Sequence, residues 1–526
     1  MDKVFGDSRL YSNILMSSFY DKQISTMLYV AVVLSLVYYY INYKIKRRHL
    51  EKMLDEFDGP KGLPLLGNVF EFSSCPKEVL KNVLRIITIY KSTFKIWLLN
   101  RPYVFVHTPE DFQTVAFKVL AKDSSYRLTV EMLGDGLFVA EVEKWKRDRR
   151  IIGPVFSSIT LLHSFLKIFN EQNVNLVNQL KKEVGTGKHF DLWPYISITS
   201  IMTICRGILG YEGTQDSTEI LNFGNALVKS SELVSKRFYK PWLMPSFIFT
   251  IYRYILGHGD IFNSLRTLPF KMVKERRKLF QRMKTEGYVC TGEERTMQNF
   301  IDILLNLHEN TGFTDQEIVD ETLSVMFAGS ETNALTSSFC LLMLAIRPDV
   351  QERIYEEVYS VFGDGNRLPD LEDLSKLPYL EQCIKETLRR FPIVPCIFRH
   401  AQEDIPISNG KIIPAGCNIV LNIIGVHHNR DVYPNPEVWD PSNFDPDKVA
   451  NRHTGSFVPF SAGPRGCLGQ KYGMVAMKAL LSTIIRNFKM TTDVKMEDIE
   501  VRVDLIIRSI TGYQVKLDYR HGKSIF

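Results

Sequence analysis

The sequence predicts a mainly α-helical protein with small β-sheets, in which one large domain follows an N-terminal transmembrane helix. Three observations lead to this prediction: an uncharged apolar run near the N-terminus, a proline-free helical pattern over residues 315–347, and strand-like segments that are few and short. A helix of that length is roughly 50 Å long, so it must cross the whole domain.

The composition is that of a globular protein. Hydrophobic residues make up 45% and charged residues 24% of the 526 residues, which argues against disorder. The net charge is +6, and residues 44–52, with five Lys or Arg against one Glu, contribute +4 of it. The rest of the chain is close to neutral, so the sequence does not favour a nucleic-acid-binding protein. The eight cysteines are scattered without any C-x-x-C pair, which excludes the usual zinc and disulfide patterns and indicates a reducing compartment.

The N-terminal apolar run predicts a transmembrane signal-anchor helix over residues 24–43. Residues 24–41 carry no charge, and the whole run reaches about 30 Å as a helix, enough to cross a bilayer core. Tyrosines near its end and the basic residues after it predict, by the positive-inside rule, a lumenal segment over residues 1–23 and a cytosolic domain on the endoplasmic reticulum. A cleaved signal peptide and a buried core helix are the alternative interpretations.

After the anchor, residues 44–67 predict a linker that is basic at first and then rich in proline and glycine. Two prolines and three glycines within residues 58–67 exclude a helix or a central strand. Residues 68–526 are predicted to form one domain, because no repeat and no strong change of composition follows. The polar stretch over residues 283–298 predicts a surface loop.

Within the domain, the long helix has clear start and stop signals. Thr314 and Glu317 form a capping box, and Pro348 ends the pattern. The strand predictions are residues 94–98, 103–107 and 418–422, and a C-terminal hairpin made of residues 501–507 and 513–517.

Residues 459–469 form the most informative segment. Three glycines and two prolines in eleven residues predict a rigid loop, and a helical pattern follows over residues 472–485. Cys467 therefore lies just before a helix N-terminus, where the helix dipole and free N–H groups stabilise a thiolate. The alternative is an inert buried cysteine in a glycine-rich turn.

The spacing of this loop resembles the haem-ligand signature of the cytochrome P-450 family. Every fixed position of the signature is present: Phe460, Gly463, Arg465, Cys467 and Gly469. The resemblance extends from the anchor to the C-terminal strands and implies the P-450 fold. It implies Cys467 as the axial metal ligand of a haem iron, Phe460 packing near the sulfur, and Arg465 directed toward a haem propionate.

Three further residues match propionate-binding positions of that family. Arg399 follows the proline-containing segment 391–395, and Trp145 and Arg149 form a W-x-x-x-R pattern on one helix face. Taken alone, each arginine is better interpreted as a solvated charge, and the haem role is implied only together with the Cys467 loop.

An E-x-x-R pair, Glu386 and Arg389, occupies one face of another helix. An ordinary surface salt bridge is the simpler interpretation, whereas the resemblance implies a structural pair near the haem loop. The family usually adds an arginine as a third partner, and Asn443 stands at that position here.

The long helix contains a short motif over residues 328–332 that matches the family's oxygen pocket. The resemblance implies that Ala328 and Gly329 border the haem, that Thr332 is a catalytic hydrogen-bonding group, and that Glu331 relays protons. Close packing between two helices is the alternative explanation for the small residues. Thr332 is the reason to prefer oxygen activation over relatives that rearrange peroxides.

Residues 134–149 and 377–389 resemble the animal family-four branch, which includes fatty-acid ω-hydroxylases and insect enzymes acting on lipids, hormones and foreign compounds. That branch often has a glutamate, which can be esterified to the haem, where this chain has Ala328. Haem b is therefore expected to be held non-covalently.

The sequence as a whole predicts a membrane-bound monooxygenase that inserts one oxygen atom into an apolar substrate. NADPH-cytochrome P-450 reductase is the expected electron donor, with a cytochrome b-type donor as an addition, because the chain has no dinucleotide or flavin motif of its own. Two groups of basic residues suit such an acidic partner: Lys144, Lys146, Arg147 and Arg150, and Lys471 and Lys478. A haem-thiolate isomerase or dehydratase and a non-catalytic lipid-binding relative remain as alternatives.

Overall fold

The structure is a computed structural model that describes residues 4–63, 66–72, 76–99, 101–213, 218–285, 299–311, 313–520, 522 and 524–526. It divides into two compact units, Met1–Asp58 and Gly59–Phe526. Most of the polar stretch predicted as a surface loop lies outside the described residues.

The first unit consists of one helix, α1 (Val4–Met53). Its part from Thr26 to Met53 has a mean hydropathy of 1.4 and is, among the described residues, the one unbroken helix long and apolar enough to cross a membrane. The basic residues 44–52 continue this helix, so the first part of the predicted linker is helical up to Met53.

The second unit contains 18 of the described α-helices. In chain order they are α2 (Val69–Phe72), α3 (Pro76–Ile89), α4 (Pro109–Lys118), α5 (Val130–Leu133), α6 (Val142–Ser157), α7 (Ile159–Leu180), α8 (Trp193–Gly207), α9 (Thr218–Tyr239), α10 (Ser246–Ile255), α11 (Ile261–Thr285), α12 (Phe300–Thr311), α13 (Asp315–Ile346), α14 (Pro348–Phe362), α15 (Leu371–Ser375), α16 (Pro378–Arg390), α17 (Ile423–His427), α18 (Pro446–Ala450) and α19 (Gln470–Asn487).

The strands are short and form four small sheets. They are β1 (Phe94–Leu98), β2 (Arg101–Val106), β3 (Phe190–Asp191), β4 (Ile397–His400), β5 (Ile405–Pro406), β6 (Ile412–Ile413), β7 (Asn418–Leu421), β8 (Phe488–Thr491), β9 (Val501–Asp504), β10 (Ile506–Ser509) and β11 (Gln514–Tyr519). The largest sheet has the order β1-β2-β7-β4, in which β2 and β7 run parallel and the other pairs antiparallel. A mainly helical domain with small sheets is therefore confirmed.

The predicted C-terminal hairpin is wrong in its pairing. Leu505 adopts a positive φ of 63° and breaks the predicted strand 501–507, so that β9 and β10 pair with each other instead. The last strand, β11, pairs with β8 and β3.

The long helix α13 forms the centre of the domain, as predicted. Thr314 and Glu317 make the capping box at its start, and the helix packs against α8, α11, α16 and α19. Between Ile318 and Ala345 almost every residue is buried. The exceptions are Val325, Ala328, Gly329, Thr332 and Asn333. Their spacing places them on one face of the helix, and this accessible face is called the α13 stripe below.

Candidate functional site

The loop that carries Cys467 is held by its own backbone. The Cys467 amide donates to the Phe460 carbonyl at 2.8 Å, and the Gly466 amide donates to the Gly463 carbonyl at 2.9 Å. Gly463 has a φ of 71°, and a β-carbon there would lie 2.4 Å from the Ala116 carbonyl oxygen. Only glycine allows this turn to approach α4 so closely, and the turn leaves Cys467 accessible just before α19.

The Cys467 sulfur is accessible and yet densely surrounded by protein, as expected for a group that lines a concave site. Burial raises the pKa of the Cys467 thiol, while the Gly469 amide and the Arg149 charge act in the opposite direction. The expected stabilisation of the thiolate is therefore present, but desolvation outweighs it. A bound metal cation would favour the thiolate, because metal binding displaces the thiol proton. A β-carbon at Gly469 would lie 4.0 Å from the sulfur.

Two arginines of the predicted site, Arg399 and Arg465, meet in a buried cationic cluster that also contains Lys122. Arg399 is 2% and Arg465 9% exposed. Each lowers the pKa of the Lys122 ammonium, although burial is the larger cause. Arg465 donates to the Ala140 carbonyl at 2.8 Å, and its Nε and Nη1 atoms have no hydrogen-bond partner among the described residues.

Among the described residues, the groups whose charges act on the cationic cluster include no carboxylate. Burial followed by the Arg399 charge lowers the pKa of Arg465 to about 10. Burial also lowers the pKa of Arg399, and the Tyr126 hydroxyl is the group that opposes this shift. Several unpaired cations in one buried layer are costly unless an anion binds between them.

Lys122 and Tyr126 were not identified from the sequence. The Lys122 ammonium donates to the Phe138 carbonyl and lies 4.1 Å from the centroid of the Tyr126 ring. Neither residue belongs to a recognisable spacing, and both come to the site through the segment between β2 and α5. No sequence signal could have indicated them.

Trp145 and Arg149 of α6 lie between the cationic cluster and the Cys467 loop. The Trp145 ring lies 4.6 Å from the guanidinium carbon of Arg465. Arg149 donates to the Gly466 carbonyl at 2.9 Å, so in this structure it supports the loop that carries Cys467. Helix α6 thus joins both parts of the site.

The α13 stripe carries three of the predicted pocket residues. Ala328 is exposed, and Gly329 and Thr332 are partly accessible. The Thr332 hydroxyl donates to the Ala328 carbonyl at 2.6 Å, and the helix is continuous at this point. A β-carbon at Gly329 would lie 2.4 Å from the Ile204 δ-carbon, so Gly329 also permits the close packing of α8.

Glu331 lies outside the stripe. It is 4% exposed and forms a buried ion pair with Arg508 of β10. Its second oxygen has no hydrogen-bond partner among the described residues. Together with Ser330 and Ala334 it lines a cavity of about 210 Å³ between α8, α9 and α13.

The E-x-x-R pair is a buried structural element. Glu386 and Arg389 are both fully buried and joined by two hydrogen bonds of 2.8 Å. Arg389 also donates to the carbonyls of His427, Pro436 and Val438. Asn443 donates its amide to Glu386 at 3.2 Å, so the third arm exists and is neutral.

The predicted basic surface is smaller than the sequence suggested. Lys478 is buried and paired with Glu381 at 2.7 Å. Lys144 and Arg147 are engaged with acidic residues of α6 and α13. The exposed members of the set are Lys146, Arg147, Arg150 and Lys471, and Lys146 is itself paired with Glu143 at 3.0 Å.

Comparison with known proteins gives one family. Its sequence model, described as Cytochrome P450, matches residues 58–517. Cytochrome P450 4g15 of Drosophila melanogaster is 30% identical over 94% of this chain and 97% of its own length. Cytochrome P450 4c21 of Blattella germanica is 31% identical over 95% of this chain and 100% of its own. Cytochrome P450 4V2 of Homo sapiens is 29% identical over 88% of this chain and 89% of its own. The chain therefore belongs to the cytochrome P450 family of monooxygenases, which bind haem non-covalently through a cysteine thiolate.

Proposed function

We propose that Cys467 is the haem-iron ligand of this monooxygenase and that Arg399 and Arg465, assisted by Lys122, bind the haem propionates. The observation that carries the proposal is the buried cationic cluster beside an accessible cysteine. If haem is bound, Arg399, Arg465 and Lys122 would face the two propionates, and the Cys467 sulfur would face the iron, a cation that favours the thiolate. Trp145 and Arg149 connect these two groups.

The α13 stripe is proposed to border the reaction space. When bound, the haem supplies the activation of dioxygen, and the chain supplies orientation and protons. Thr332 holds a hydroxyl on the stripe, and its present acceptor is a carbonyl of its own helix. Because that bond is local, the hydroxyl can turn toward a ligand without disturbing another element. Glu331, with one unpaired oxygen and a cavity beside it, is proposed to pass protons toward Thr332.

The substrate is proposed to be apolar: a fatty acid, a hormone-like lipid or a foreign compound. One atom of dioxygen enters the substrate and the other leaves as water, with two electrons taken from NADPH. The support is the resemblance to the family-four branch and the three relatives whose names place them there. Phe138 is partly accessible and packs on the buried Phe327 with ring centroids 6.0 Å apart, so it offers apolar surface close to the cationic cluster.

The electrons are proposed to come from NADPH-cytochrome P-450 reductase, with a cytochrome b-type protein as a second donor. Exposed basic residues of α6 and α19, the helices next to the Cys467 loop, are Lys146, Arg147, Arg150 and Lys471. Exposed positive charge steers an acidic partner. We further propose that α1 anchors the chain in the endoplasmic reticulum membrane, with residues 1–23 lumenal and the catalytic domain in the cytosol.

Replacing Cys467 tests the ligand assignment. The reduced protein with carbon monoxide is expected to show the red-shifted Soret band of a thiolate-ligated haem, and Cys467→Ser should abolish it. The matched control is Cys383→Ser, because Cys383 is fully buried in α16, away from the loop. Survival of the band in the Cys467 variant would show that another residue is the ligand.

The substrate class is tested by turnover with added reductase. Fatty acids and terpenoids should consume oxygen and NADPH together and yield hydroxylated products. Product formation without oxygen uptake would instead indicate an isomerase or dehydratase.

A further inference from the structure

Two carboxyl groups meet in a buried position between α6 and α13. Asp148 of α6 is fully buried, and Glu321 of α13 is 1% exposed. Asp148 accepts hydrogen bonds from Lys144 at 2.8 Å and Arg147 at 2.7 Å. Neither Glu321 oxygen has a hydrogen-bond partner of good geometry among the described residues, and the Asp148 carboxyl is one of the groups that act on it.

The charges around this pair do not balance if every acid is ionised. On α6, Lys144 and Arg147 are positive and Asp148 is negative, and on α13, Glu317 and Glu321 face them. The segment before α6 contributes only the Leu137 amide. Three carboxylates would thus face two cations, with Asp148 and Glu321 both buried, and one added proton balances the group.

The other charged groups nearby are already committed. Asp320, the neighbour of Glu321, turns to Arg266 of α11 at 2.9 Å. Arg147 and Thr314 hold Glu317 as an anion, lowering its pKa to about 2 even though burial acts to raise it. Burial is the main cause that raises the pKa of Glu321 to about 8, and the nearby Asp148 charge adds to it. The extra proton therefore resides on Glu321.

The position of Glu321 connects the pair to the candidate site. Glu321 precedes Val325, Ala328 and Thr332 by four, seven and eleven residues, so it continues the same helix face. The stripe becomes closed at Glu321, where α6 and the segment before it cover the helix. Helix α6 also carries Trp145 and Arg149, which contact Arg465 and the Cys467 loop.

We propose that Asp148 and Glu321 share one proton and that this carboxylic acid–carboxylate pair holds α6 against the end of the α13 stripe, as positioning residues of the monooxygenase site. As a protonated acid, Glu321 donates to the Asp148 carboxylate and links the two helices. Once Glu321 is ionised, two like charges lie together in a buried site, and their repulsion separates the two helices. The inference rests on the proposed function at one point only, where the separation of α6 from α13 is linked to the haem site.

The sign of the pH dependence follows from the direction of the shift. The pKa of Glu321 in the folded chain lies above its ordinary value of 4.5. The stabilising contribution of the pair is therefore complete below about 4.5 and is lost as the pH rises toward 8. Glu321→Gln keeps the donor and removes the ionisation, so this variant should be insensitive to the same change of pH.

Infrared difference spectroscopy of the full-length holoenzyme tests the shared proton without relying on turnover. Subtracting the Glu321→Gln spectrum from that of the natural chain should leave the carbonyl stretch of one protonated carboxylic acid, which disappears as the pH passes about 8. Asp148→Asn should lower that midpoint by about 1 pH unit or more, the size that defines a coupled pair. The control is Glu143→Gln, whose side chain on α6 is 86% exposed. An absent band, or a midpoint that Asp148→Asn leaves unchanged, overturns the shared proton.

The carbon monoxide spectrum tests the positioning role. In the natural chain, the thiolate-haem band should be lost faster above the Glu321 midpoint than below it, and Glu321→Gln should abolish that difference. If the thiolate-haem band is lost equally fast at alkaline pH in both chains, the positioning role is overturned, even where the infrared result stands. A chain that binds no haem at all still reports on the proton by infrared, so failure of the proposed function is distinguished from failure of this inference.

Discussion

Replacing Glu386 by glutamine is expected to lower the fraction of molecules that fold with haem. The glutamate accepts two hydrogen bonds of 2.8 Å from Arg389, one of 2.8 Å from the Asp440 amide and one of 3.2 Å from Asn443. Glutamine keeps the shape and a single acceptor oxygen. Its NH₂ group must face another donor, and the buried Arg389 loses its counter-charge.

The magnitude follows from the burial of this pair. Breaking a fully buried ion pair by removing one partner costs about 3–5 kcal/mol, a factor of roughly 10² to 10³·⁵ in the folding equilibrium. Typical domains are stable by about 5–15 kcal/mol, so the loss amounts to about a fifth of the margin in the most stable domains and to all of it in the least stable. The three carbonyls that Arg389 also contacts do not offset this loss, because they are present in both chains.

The assay is the amount of thiolate-haem signal with carbon monoxide per amount of expressed chain, followed by the urea concentration that halves it. Asn443→Ala removes one charge-assisted bond and should cost about 1–3 kcal/mol, an intermediate loss. Glu372→Gln is the surface control, because its side chain is 77% exposed. A full thiolate-haem signal in Glu386→Gln would refute the reasoning that the buried Glu386–Arg389 ion pair stabilises this region.

Three more predictions concern the site and the anchor. Thr332→Ala should keep haem and release more hydrogen peroxide per NADPH consumed, whereas Thr332→Ser should not; equal ratios would remove the hydroxyl from the proton path. Acid treatment after turnover should release all haem into organic solvent, because Ala328 offers no carboxylate for an ester; haem retained by the chain contradicts this. Ala328→Glu should retain part of the haem. Protease added to intact microsomes should digest the domain, and protection would reverse the proposed topology.

The features predicted correctly from the sequence are those whose signals are local. The capping box at Thr314 and the start of α19 depend on residues that are close in the chain. The pairing of β11 depends instead on strands β3 and β8, and on the positive φ of Leu505, which no neighbouring residue signals. That prediction failed because strand pairing is decided by packing across the whole domain.

The residues of the candidate site also divide into those with a local sequence signal and those that depend on distant contacts. Cys467 and Arg465 were predicted from the spacing of the haem-ligand signature, and Arg399 from its place after a proline-containing segment. The structure brings the two arginines together, and their haem role stays a prediction. Lys122 could not be found, because its importance comes from burial beside two other cations. Lys478 was misjudged for the opposite reason: its position in the sequence resembles a surface lysine, and its partner Glu381 belongs to another helix.

The ion pair between Glu331 and Arg508 has a consequence for genetic variation in this chain. Arg508 lies 41 residues after Cys467, so a truncation between these two positions retains the whole Cys467 signature. A stop codon ahead of Arg508 removes the counter-charge of a glutamate in the central helix and also deletes β11. Such truncations are therefore expected to destabilise the domain even though the Cys467 signature is retained.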